Sequence, residues 1–169
     1  MPPPITPFGA FHTTISLLPI PLGLWAFAQY GRIVPTSGVG KLYLATMFAG
    51  SVTGLMIFHH GGFGPGHVLS ILTIVLLLLG AFSSRVGWFG RGARYVETIS
   101  LSLSFFLLFF FLTTETLTRL PPDHPYAPSQ EAPELLPIRG VLLLVLVIGV
   151  GYQIFTMRRA GQTTSSDGP

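Results

Sequence analysis

From Phe105 to Leu112 the chain reads Phe-Phe-Leu-Leu-Phe-Phe-Phe-Leu. Eight successive large apolar side chains cover every face of a helix, so no amphipathic surface element can carry them. The run lies in an apolar stretch spanning about 95–115, and four similar stretches occur at about 12–30, 41–60, 67–84 and 138–157. An α-helix needs about 20 predominantly apolar residues to cross the hydrocarbon of a bilayer. Composition agrees: 49% of the 169 residues are hydrophobic, 9% are charged and mean hydropathy is +0.64. A soluble domain carries roughly a quarter charged residues, so a soluble globular protein and a disordered chain are both excluded. The expected fold is all-α, an integral membrane helical bundle of five transmembrane helices, with the first four as its core and the fifth as a C-terminal span.

The pI near 9.7 does not point to nucleic acid, because the net charge is only +3 and the basic residues are scattered; no phosphate-binding stripe results. The expected partners are the lipid bilayer and a membrane protein or a second copy of the chain. The absence of cysteine excludes disulfides, thiolate metal sites and covalent haem attachment through CxxCH.

Lys and Arg are retained on the cytoplasmic side of bacterial membrane proteins. In a five-span plan Arg32, Lys41, Arg85, Arg91, Arg94, Arg158 and Arg159 all fall on one side, with only Arg119 and Arg139 opposite. This distribution predicts a multi-pass protein of the bacterial inner membrane, N-terminus outside and C-terminus inside. Ala26-Phe27-Ala28 resembles a signal-peptide cleavage site, but no Lys or Arg precedes it, so the first span is read as retained. The segment 120–137, with Pro121, Pro122, Pro125, Pro128, Pro133 and Pro137, is expected as an extended outer flap with polyproline II character. The tail 161–169 is expected to be disordered. Trp25, Tyr30, Tyr43, Trp88 and Tyr95 would form an aromatic belt at the inner boundary.

The same plan gathers the histidines at the outer side. His12 opens the first span, His59 and His60 close the second, His67 opens the third and His124 lies in the flap. Helical spacing places His12, Ser16, Pro19 and Gly23 on one face of the first span, and Thr46, Gly50, Thr53 and His60 on one face of the second. His60 is then the inward histidine, and Gly50 and Gly54 form a GxxxG pair that permits close helix approach. Glu97, Ser100, Ser104 and Glu115 share a stripe on the fourth span. Charged groups in lipid usually face the bundle and are paired. Glu97 is expected to pair with a loop arginine, with Arg94 or Arg91 as candidates. Glu115 is either an interfacial acid or part of the histidine cluster.

Imidazole binds haem iron and transition metals well. One reading is therefore an electron-transfer protein holding a b-type haem through His12, His60 and His67, or a metal through the same residues with Glu115. The alternative is a non-enzymatic accessory or assembly subunit without a cofactor, and a third reading is a small transporter. No phosphate loop, HExxH motif or nucleophilic triad occurs.

Gly40-Lys41-Leu42-Tyr43, the stretch Gly62-Phe63-Gly64-Pro65-Gly66-His67 leading into Leu69-Ser70-Ile71-Leu72-Thr73, His12, and Thr118-Arg119-Leu120-Pro121 together resemble the DUF2306-type bacterial membrane proteins. The resemblance covers about residues 10–121. It implies a cytochrome b-like four-helix bundle with a haem site, to which the fifth span is an extension. The family pattern has a further His shortly before the fourth span, whereas Arg91 to Tyr95 here contains none.

Overall fold

The computed structural model describes residues 6–58 and 62–166, the stretch 161–166 by its backbone alone. All regular structure among these residues is helical: α1 (Pro7–Leu17), α2 (Pro19–Tyr30), α3 (Gly38–Leu55), α4 (Pro65–Phe82), α5 (Ala93–Leu117) and α6 (Leu136–Ser166), with short 3-10 helices at Gly87–Gly92 and Pro133–Leu135. Four helical stretches are long and apolar enough to cross a membrane: Pro7–Tyr30, Pro65–Phe82, Gly87–Leu117 and Pro133–Ala160. The fold is thus an all-α bundle with membrane-type helices.

The helix boundaries follow local chemistry. Thr6 caps α1 by accepting from Gly9 N, so the helix starts at Pro7, ahead of His12 rather than at it. Pro19 and Pro21 lack the N–H groups that would continue the ladder, and the rod is interrupted at Leu18, whose N–H bonds the Ile15 carbonyl in a tightened turn. α2 then carries on, so the first stretch is one interrupted rod, as the prolines predict. Gly31, in the left-handed region at φ 68°, ends it. Ser37 caps α3 through Gly40 N. α3 ends at Leu55, short of the expected boundary at His60, and it is not among the four long apolar stretches. Glycines and hydroxyls make it less apolar than its neighbours, and it packs against α1, α2 and α4.

The helices run alternately up and down, and interhelical contacts define two ends. At the arginine end Arg32, just after α2, pairs with Glu97 near the start of α5. There too, Gln153 of α6 donates to the Gly31 carbonyl and accepts from Ser102 of α5. At the histidine end His12 of α1 meets Thr53 of α3, and Arg139 of α6 donates to Thr114 of α5 at 3.5 Å. Between the ends the core is Ala26, Ile33, Tyr43, Met47, Leu77 and Leu101. A Cβ at Gly23 would collide with the Phe105 ring, and one at Gly80 with Leu101, so α2 and α4 lie directly on α5. α6 touches mainly α5: 6% of its apolar stretch is buried, against 39% for the stretch containing α5.

Two expectations are corrected. The proline-rich segment is a folded cap, not an extended flap: Tyr126 N bonds Leu120 O, Ala127 N bonds Leu117 O, and Ala127, Ala132 and Leu135 pack on Leu117. Its prolines rigidify turns while its alanines and leucines supply a small core. Tyr43 is no belt residue. It is fully buried, and its hydroxyl is 2.8 Å from Ser104 Oγ, because it shares the inward face of α3 with Met47 and Gly50. Trp25 and Trp88, at 61% and 93% exposed, do lie on the surface. The helix of α6 runs to Ser166.

Candidate functional site

The histidine end is built on the close approach of α1, α3 and α4. A Cβ at Gly50 would stand 2.9 Å from Ser16 Oγ, and one at Gly54 would stand 3.3 Å from His12 Cε1 and 3.0 Å from Ser70 Oγ. The GxxxG face of α3 therefore lies inside the bundle, with α1 on one flank and α4 on the other, and is not open to a partner. His12 and Ser70 meet across Gly54, as the small faces of α1 and α4 predict.

The hydrogen bonds orient the two helix histidines, His12 and His67, in opposite senses. His12 Nδ1 is 2.9 Å from Thr53 Oγ1. That hydroxyl donates its one proton to the helix carbonyls of Ala49 and Gly50, at 2.9 and 3.0 Å. It therefore accepts from His12, which places a proton on Nδ1. His67 is the third residue of α4, and its Nδ1 accepts from Gly64 N at 3.1 Å, capping the helix. Its proton is therefore on Nε2. That atom is buried and has no hydrogen-bond partner among the described residues. The ring lies against Phe58 and Phe63, with centroids 4.6 and 5.2 Å away. A buried donor without an acceptor costs about 1–3 kcal/mol, partly offset by the helix cap and the aromatic contacts.

The remaining candidates are engaged elsewhere. Glu115 accepts from Arg119 Nε at 2.8 Å and from Gln130 Nε2 at 2.7 Å, so its carboxylate fastens the proline-rich cap to α5. Arg139 strengthens the same junction through the Gln130 carbonyl and lies 4.9 Å above the Phe110 ring. Glu97 pairs with a loop arginine as expected, but the partner is Arg32 rather than Arg91 or Arg94. Its position on the inward stripe of α5 turns it toward the end of α2. His124 is exposed on the cap. His59 and His60 lie outside the described residues.

These groups do not assemble a ligand set. Among the described residues no three His, Cys, Asp or Glu side chains converge on a point that could hold a metal ion. His67 Nε2 can take iron or zinc only if the Gly64 cap is broken. The haem and metal readings lean on His60, and the geometry of the other members supplies no step through such a group. Sequence reasoning missed Gln153, Arg32 and Arg139, the polar side chains that join the outer helix and the loops to the bundle. Gln153 carried a signal, as a lone amide in an otherwise apolar span.

An all-helical bundle with membrane-type helices and polar seams is the class of protein defined by this geometry. No family model, no curated protein and no solved structure matches the chain.

Proposed function

We propose that this chain is a multi-pass protein of a bacterial inner membrane that crosses the bilayer five times, N-terminus outside, and serves there as a non-enzymatic accessory subunit. The observation that carries the reading is the use to which the polar side chains of the helices are put. Arg32 with Glu97, Tyr43 with Ser104, Gln153 with Ser102 and Gly31, and His12 with Thr53 all join one helix or its end to another. The topology has separate support, since the seven cations of one side in the five-span plan fall at the end marked by the Arg32–Glu97 pair. In this topology α3 is the least apolar span, shielded by three neighbouring helices.

The test is solubilisation from the source membrane in mild detergent, followed by native electrophoresis and a reduced-minus-oxidised spectrum. An accessory subunit migrates with one membrane protein in fixed stoichiometry, and its spectrum is flat. A monomeric species with a Soret band, lost on replacing His12 with Ala, overturns the proposal in favour of the haem reading.

A further inference from the structure

At the arginine end, α4 and the 3-10 helix after it border an apolar groove of about 330 Å³, lined by Val75, Leu79, Phe82, Ser83, Val86 and Phe89. Two arginines belong to the same segment. Arg85 lies 5.4 Å above the Phe82 ring, and Arg91 closes the 3-10 helix two residues after Phe89. Neither faces a carboxylate: the ion pairs among the described residues are Arg32–Glu97 and Arg119–Glu115. Between them Trp88 stands 93% exposed, as an indole at a headgroup boundary does.

An apolar groove with Arg85 over one of its lining rings and Arg91 two residues beyond another has one complementary occupant. We propose that this groove is a binding site for an anionic phospholipid of the adjoining leaflet. One acyl chain lies along Val75, Leu79 and Phe82, and Arg85 and Arg91 hold the phosphate. The proposal rests on the membrane reading above.

The full chain, purified in mild detergent, is titrated with phosphatidylglycerol and with phosphatidylcholine and followed by native mass spectrometry. The wild-type chain is expected to retain phosphatidylglycerol preferentially, and excess inorganic phosphate should leave those adducts in place. The double replacement Arg85→Ala with Arg91→Ala should weaken phosphatidylglycerol binding roughly 30-fold. Arg158→Ala with Arg159→Ala, the same charge change elsewhere at that end, should weaken it much less. Leu79→Trp fills the groove without changing charge and should also reduce the adducts, which covers the case of a loop variant that does not fold. Equal losses in the two arginine pairs, displacement by phosphate, or no preference between the lipids overturns the site. Alkaline carbonate washing separates the two levels: release of the chain from membranes defeats the membrane reading itself, whereas a retained chain without lipid preference defeats only the site.

Discussion

The Arg32–Glu97 pair offers the sharpest test of the packing. The arginine side chain is 18% exposed and the carboxylate 10%, so neither charge has much water to fall back on. Breaking a buried pair by removing one member costs about 3–5 kcal/mol, because the other charge is left uncompensated, while replacing both by apolar residues is often close to neutral. Arg32→Leu should therefore destabilise the bundle by about 3 kcal/mol, and Glu97→Leu by a similar or smaller amount. The double variant should recover most of the loss. Arg91→Leu and Arg94→Leu, which remove the partners read from sequence, should each shift stability by less than about 0.5 kcal/mol. The assay is a double-mutant cycle from reversible unfolding in mixed detergent micelles, followed by circular dichroism. A coupling energy below about 0.5 kcal/mol, with additive single effects, would refute the claim that this pair locks the end of α2 onto α5.

Other substitutions probe the remaining joints. Gln153→Leu removes two interhelical hydrogen bonds; with membrane hydrogen bonds averaging about 0.6 kcal/mol, a loss of about 1–2 kcal/mol and easier proteolysis of α6 are expected. Gly23→Ala, which forces a Cβ against Phe105, should lower stability by about 1–3 kcal/mol through overpacking, seen as a lower midpoint of thermal unfolding. Tyr43→Phe keeps the ring and deletes the bond to Ser104, and the same measurement should register about 1 kcal/mol. For topology, cysteines introduced at Thr36 and at Ser129, in loops at opposite ends, should react with a membrane-impermeant maleimide from opposite sides of sealed vesicles; reaction of both from one side rejects the alternating five-span plan.

Apolar periodicity reads well in a chain of this kind because the signal is long. The run ending at Leu112 and the span ending at Met157 are too greasy to be anything but helices in contact with lipid or with each other. The small faces were legible too, since Ser16, Gly50, Gly54 and Ser70 meet where three- and four-residue spacing placed them. Tyr43 was misread because belt position and core position share one residue type, and only the rotation of α3 tells them apart. The proline-rich segment was misread because proline counts as an extended residue unless a hydrophobic anchor folds it back, here Leu117 with Ala127 and Leu135.

The site was least legible, for a reason that can be located in His67. As a sequence symbol, histidine promises a lone pair, and three histidines at one end of a bundle promise a ligand set. What decides is which ring nitrogen keeps the proton, and that is set by the neighbour of the other nitrogen. Thr53 beside His12 takes a proton from Nδ1, whereas the Gly64 N–H beside His67 gives one to Nδ1. Two histidines that look equivalent along the chain thus use the same ring nitrogen as a donor in one case and an acceptor in the other. ¹⁵N chemical shifts of the two imidazoles in detergent test this directly: opposite neutral tautomers are expected. His67 protonated on Nδ1 would remove the objection to its binding a metal through Nε2.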